Sequence, residues 1–345
     1  MDNKILNPHN YIDNSRPVNN CLFPLNIKPD QHFYCNIKVN SNFYLENDVI
    51  IYVILFSGWL VLLMLIWDEQ MTMKTLRVFP RKMKSTPDDP ESIVGDPVPN
   101  FRKDFDLIKI SVTFTWDKEK AYRLAERWEK FGKVEIGGPA FDDPGGDFTP
   151  GLFLKPGYAI TSRGCPNNCW FCLASKREGN IRELPIKDGW DVLDNNLLAC
   201  SDSHVKSVFE MLLRQKERVK FTGGLDVSLL KDWHVDYLSR MRLESVYFAY
   251  DSPGDLEILV ETGRKLRGVL LPRVIRCYVL IGYPGDTINK AEVRLNEALE
   301  AGFIPMAMLY RGGVWKREIN RDWHDLAFSW INYKMLAYRI KRLKI

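Results

Sequence analysis

From residue 107 onward, stretches in which apolar and polar side chains alternate give way repeatedly to stretches in which apolar side chains recur every three or four residues. The first pattern predicts half-buried strands and the second predicts amphipathic helices. Residues 107–115 read as a strand. Residues 118–131 read as a helix with Ala121, Leu124, Ala125 and Trp128 on one face and Asp117 as its N-cap. A short strand over 133–136, stopped by Gly137, Gly138 and Pro139, completes a small β-α-β unit assigned to 107–150. A loop rich in glycine and proline follows over 144–156.

Beyond it the strand pattern recurs at 158–161, 192–198, 219–222, 245–250, 275–281 and 304–310. The intervening helices present apolar faces such as Val205, Val208, Phe209 and Leu212, or Leu230, Trp233, Tyr237 and Met241. Two more carry Leu256, Leu259, Val260 and Gly263, and Ile288, Leu295, Ala298 and Leu299. Such alternation predicts an α/β fold with a parallel sheet. Six steps over 151–315 suit a partial (β/α)6 TIM-like barrel, whose active site belongs at the carboxyl ends of its strands. A helical tail is expected over 316–345, its Lys334, Arg339, Lys341, Arg342 and Lys344 forming a solvated face.

The first 72 residues are of another kind. They hold 11 asparagines and the single glycine Gly58, whereas the following 273 residues hold 10 asparagines and 21 glycines. Within them, residues 49–67 are interrupted only by Ser57 and Gly58, a length of roughly 28 Å as a helix. That admits a single N-terminal transmembrane helix and membrane association through 49–67. Lys74, Arg77, Arg81, Lys82 and Lys84 follow the run, and the positive-inside rule would then leave the catalytic domain cytoplasmic. Equally, Met71 or Met73 could be the true start. Residues 73–106, with Pro80, Pro87, Pro90, Pro97 and Pro99, read as a proline-rich lead-in.

Charge changes little in this picture. A net charge of +4 is too mild to argue for nucleic acid. Cysteine changes more. Three of seven fall within eight residues, in the stretch 162–172 that reads SRGCPNNCWFC. Thiolates at Cys165, Cys169 and Cys172 can wrap a compact metal centre, and Gly164 and Pro166 favour the turn this needs. Structural zinc and ordinary iron–sulfur sites take four protein ligands. No fourth cysteine or histidine adjoins the three, which leaves one metal position open. The competing reading is a non-catalytic iron–sulfur or zinc-binding protein, completed by a distant Cys200, Cys277 or His204. Otherwise Cys200 and Cys277 are buried small hydrophobes.

Cys-x3-Cys-x2-Cys, with aromatic Phe171 before the last cysteine and set after the first barrel strand, resembles the radical S-adenosylmethionine (SAM) superfamily. The resemblance implies a 4Fe–4S cluster on the three cysteines, with SAM chelating the fourth iron. Reductive cleavage of SAM would yield a 5′-deoxyadenosyl radical that abstracts hydrogen from substrate, fed by an electron donor such as flavodoxin or ferredoxin. It also implies SAM contacts at strand ends: Asn195 and Asn196 on the second, Gly223, Gly224 and Asp226 on the third, Asp251 and Ser252 on the fourth. The segment Gly282, Tyr283, Pro284, Gly285, Asp286, Thr287 is similar to one common in the cobalamin-associated branch. The small β-α-β unit then looks like a remnant of that branch's Rossmann-like domain. No histidine lies between His32 and His204, however, which argues against histidine-ligated cobalamin. The substrate does not follow from the motif, because such folds host many reactions.

Overall fold

The computed structural model describes residues 52–56, 59–63, 73–101, 103–312 and 320–343. The chain divides into two compact units, Met1–Thr72 and Met73–Ile345.

In the first unit, strands β1 (Tyr52–Phe56) and β2 (Trp59–Leu63) pair antiparallel, with Phe56 opposite Trp59. The expected transmembrane helix over 49–67 is thus corrected to two five-residue strands, the rest of the run lying outside the described residues. The physical reason is visible in the sequence. The run is rich in β-branched and aromatic residues, which favour strands. Among the described residues no helix is long and apolar enough to cross a membrane.

The second unit is mixed α/β and holds two parallel sheets. The smaller has four strands in the order β4-β3-β5-β6: β3 (Thr75–Phe79), β4 (Ser92–Val94), β5 (Leu107–Ser111) and β6 (Lys133–Gly137). The expected lead-in over 73–106 therefore supplies two strands, and the small unit exceeds a β-α-β remnant. Burial explains this, since Leu76, Val78 and Phe79 are all at most 4% exposed. Helix α1 (Lys118–Trp128) packs on one face, where Leu124 and Trp128 join Leu76, Val78, Ile108 and Ile110. Asp117 precedes α1 without capping it. Its carboxylate instead accepts both Nε and Nη2 of the half-exposed Arg81.

The larger sheet has six strands in the order β14-β13-β12-β11-β10-β7, all parallel. It starts with β7 (Tyr158–Ala159). An antiparallel pair, β8 (Ser162–Arg163) with β9 (Arg182–Glu183), then encloses the cysteines and the short helix α2 (Ala174–Glu178). Strand β10 (Asp191–Val192) follows, shorter than the expected 192–198 because Leu197–Ala199 turns as a 3-10 segment. The remaining steps alternate without interruption. They are α3 (Asp202–Leu213), β11 (Val219–Leu225), α4 (Asp232–Arg240), β12 (Leu243–Tyr250), α5 (Leu256–Arg267), β13 (Ile275–Ile281), α6 (Ile288–Glu300) and β14 (Ile304–Leu309). Thr287 caps α6, its hydroxyl accepting from the Lys290 amide. Gly263 lets α5 close on the C-terminal end of α6, since a Cβ there would stand 1.9 Å from the Ala301 carbonyl oxygen. The expected helical tail breaks at Asn332 into α7 (Arg321–Ile331) and α8 (Tyr333–Leu343). Arg339 leaves the expected solvated face, donating to the Ser329 carbonyl and stacking on Trp330.

His234, 1% exposed on α4, gives this core a pH dependence. Its Nδ1 accepts the Lys231 amide, while Nε2 is buried without a partner among the described residues. Burial first, and the Lys231 charge second, push its pKa down to about 4. The folded state therefore keeps His234 neutral, and its contribution is complete above the ordinary value of 6.5. It is lost as pH falls from 6.5 towards 4, by about 3 kcal/mol in all. Urea midpoints of wild type and His234→Gln should accordingly converge on acidification; a gap that stays constant between pH 7 and 4 would refute the assignment.

Candidate functional site

The cysteine loop is tied shut at its base. Ser162 and Arg163 of β8 pair with Glu183 and Arg182 of β9, so residues 164–181 project as a closed loop. Gly164 has φ +83°, and a Cβ there would stand 2.3 Å from the Asn180 carbonyl oxygen, so the two loop ends touch through backbone. The Cys165 amide donates to the Gly179 carbonyl oxygen at 3.1 Å. Glu178, 7% exposed, accepts the Gly164 amide at 3.1 Å and the Asn195 side chain, and it pairs with Arg177.

Asp194 braces the loop from β10's end. Its carboxylate is 1% exposed and accepts the Thr161 amide at 2.7 Å, the Thr161 hydroxyl at 2.6 Å and the Ser162 hydroxyl at 2.7 Å. Burial pushes its pKa up, while these three donors pull the other way.

Cys165, Cys169 and Cys172 are free and partly exposed. A turn closes from the Cys172 amide to the Cys169 carbonyl oxygen. The Ala174 amide donates to Cys172 Sγ at 3.4 Å, and Asn196 Nδ2 lies 3.7 Å from Cys165 Sγ. Burial, followed by the charges of Cys172, Asp251, Cys165 and Asp226, raises the pKa of Cys169. The strand-end carboxylates Asp226 and Asp251 thus act on the cysteine loop. Among the described residues no set of three or more His, Cys, Asp or Glu side chains stands close enough to hold a metal ion as the chain lies.

The expected SAM contacts fall into two groups. Asn196, 4% exposed, turns toward the cysteines, its Nδ2 also reaching Asp226 Oδ2 at 3.3 Å. Its Oδ1 is buried and without a partner among the described residues. Asp226 accepts Asn167 Nδ2 at 2.8 Å and, through Oδ1, the amide and hydroxyl of Ser228. Asp251 is partly exposed at the end of β12. Burial lifts its pKa to about 6 despite the Leu280 amide and the Arg294 charge, and Asp255 adds to the rise. Phe171 stands partly exposed beside Trp170.

The others serve the frame. Asn195 turns to Glu178, away from its neighbour's direction. At Gly223 a Cβ would stand 2.2 Å from the Asp194 carbonyl oxygen, so strand-to-strand approach already requires glycine there. Gly224 has φ +89°. Ser252 is exposed and its hydroxyl accepts the Gly254 amide in the turn into α5.

Of the distant fourth ligands, Cys200 is buried, its pKa lifted to about 11, and Cys277 donates to the Tyr278 carbonyl within β13. His204 lies 3.7 Å from Glu183. Cys21 and Cys35 lie outside the described residues.

The sequence does not mark Glu178 and leaves undecided what Asp194 and Trp170 touch. Glu178 and Asp194 act through contacts 14 to 33 residues away. Trp170, 56% exposed, meets Tyr283 at 5.7 Å and Tyr310 at 5.4 Å between ring centroids, forming an aromatic wall from the cysteine loop to the ends of β13 and β14. No protein-family model matches the chain, and no curated protein matches it.

Proposed function

We propose that this chain is a radical SAM enzyme, with Cys165, Cys169 and Cys172 holding a 4Fe–4S cluster and SAM completing the coordination of its fourth iron. One observation carries the reading. Three free cysteines share one base-closed loop after the first strand of a sequentially ordered parallel sheet, and the orphaned Asn196 Oδ1 is buried beside them. On this reading the six strand–helix steps are a partial (β/α)6 barrel whose strand ends frame the site.

The donor chemistry fits the group. Thiolates are the usual ligands of iron–sulfur clusters, and N–H groups aimed at sulfur stabilise their charge. The like charges that raise the Cys169 pKa would be offset by iron. Cys165, Cys169 and Cys172 would hold the cluster only with their thiolates brought closer together, so its binding would be coupled to a change in the loop. The chemistry supplied by the bound cluster is the electron that cleaves SAM reductively.

The chain's own residues supply the setting. Asn196 Oδ1 can accept from the SAM ammonium group, while its Nδ2 holds Cys165 and Asp226. Asp226 and Asp251 place negative charge where the cationic sulfonium and ammonium of SAM would lie. Trp170, Tyr283 and Tyr310 restrict water on one side. An electron donor such as flavodoxin or ferredoxin belongs to this proposal.

Anaerobic reconstitution tests it. The expected result is about four iron and about four sulfide per chain, with dithionite-driven release of 5′-deoxyadenosine from SAM. Cys169→Ala should lose both. A stoichiometric zinc ion with no SAM cleavage would establish the non-catalytic metal site instead.

A further inference from the structure

Helix α1 packs on one face of the four-stranded sheet. Its second face is crossed by the loop after β6, where Arg77 Nη1 donates to the carbonyl oxygens of Gly151 and Leu152 at 2.9 and 2.6 Å. Between that loop, the carboxyl ends of β3, β5 and β6, and the base of the cysteine loop lies a cavity of about 700 Å³. Small-molecule sites span roughly 300–1,000 Å³ and favour the carboxyl ends of parallel strands.

The lining has an apolar body, made by Phe79, Ile136, Phe148 and Leu154 among others, and a distinct charge pattern. Glu178 pairs with Arg177, and Glu135 pairs with Lys133 at 2.9 Å while standing opposite Lys109 across β5 and β6. Asp143 and Asp147 are exposed at the rim. Lys109 and Arg163 remain, both only partly exposed. Among the described residues neither has a carboxylate within ion-pair distance; Arg163 is tied only by its Nε to the Gly146 carbonyl oxygen at 3.0 Å. That fixes the guanidinium and leaves its two outer nitrogens for a partner. Ser111 and Thr149 add hydroxyls to the same wall.

We propose that this cavity binds an organic anion with an apolar body, its carboxylate, sulfonate or phosphate held by Lys109 and Arg163. Arg163, half-buried with no carboxylate within ion-pair distance among the described residues, and Lys109, which shares Glu135 with Lys133, are both favoured by a bound anion. The apolar wall makes the rest of the ligand contribute through burial. Asn195 and Glu178 border the cavity while Asn196 faces the cysteines, so occupancy would be sensed at the base of the cysteine loop.

Isothermal titration of the full chain with 8-anilinonaphthalene-1-sulfonate and with uncharged N-phenyl-1-naphthylamine provides the test. The sulfonate should bind at about one per chain, and Lys109→Gln should weaken it at least about tenfold. The uncharged analogue should bind more weakly and be indifferent to that change. Ser111→Phe, which fills the cavity, should remove both, with folding of each variant checked by circular dichroism. Absence of sulfonate binding to wild type, or equal sulfonate affinity in folded Lys109→Gln, overturns the proposal. No SAM chemistry enters the readout, so it stands or falls apart from the enzymatic reading.

Discussion

Arg294→Met is expected to lower the unfolding free energy by about 3–5 kcal/mol, the cost of stranding one half of a buried ion pair. Arg294 on α6 and Asp286 before it are 4% and 0% exposed at their side chains. The guanidinium donates to both carboxylate oxygens, at 3.1 and 2.7 Å, and to the Leu280 carbonyl at 2.9 Å. Asp286 in turn accepts the amides of Gly282 and Thr287, both at 2.9 Å. The pair therefore shapes the whole turn from β13 into α6. It also sets Tyr283, whose ring lies 5.1 Å beneath the guanidinium and meets Trp170 of the cysteine loop. Methionine preserves bulk but leaves a buried carboxylate without its counter-charge. Urea denaturation followed by circular dichroism measures the loss. Adding Asp286→Leu should restore part of it, since an apolar pair avoids the uncompensated charge. A single-variant loss below about 1 kcal/mol would show that the pair contributes little.

The second large effect is expected at Asp194. Alanine there leaves the Thr161 amide and two hydroxyls without their acceptor, in a place nearly closed to water. Each stranded buried donor costs about 1–3 kcal/mol. The lost charge returns part of that, because burial already raises the Asp194 pKa. A net loss of about 3 kcal/mol follows. Asparagine should cost less: its carbonyl keeps the amide bond, and the hydroxyls can rotate to accept from its NH2. The consequence reaches the candidate site, because only Arg163 separates Thr161 and Ser162 from the Gly164–Cys165 turn. Iron retained after anaerobic reconstitution should drop in Asp194→Ala more than in Asp194→Asn. Equal iron in both, with intact stability, would mean that the carboxylate does not hold the loop.

Several elements could be read before any coordinates were considered. The stretch Ile275–Ile281 is a strand because its apolar residues, broken only by Arg276, run between turn signals, and Ile288, Leu295, Ala298 and Leu299 mark one face of a helix. Other readings went astray where distant partners decide. Asp117 resembles a helix cap, yet Arg81, 36 residues earlier, claims its carboxylate. The prolines after Phe79 suggest a lead-in, yet Leu76 and Val78 find Ile108 and Ile110 to pack against. Residues 49–67 have no period that separates helix from strand, so backbone pairing decides.

The amino-acid order by itself determined the three-cysteine spacing and the alternation of strands with helices, because both depend on neighbours within a few residues. Only the tertiary structure decided that Asn196 faces Cys165 while Asn195 faces Glu178, that Gly223 is held by the Asp194 backbone, and that a cavity opens beside Lys109 and Arg163. These depend on which backbones meet across tens of residues, and no local pattern encodes such encounters.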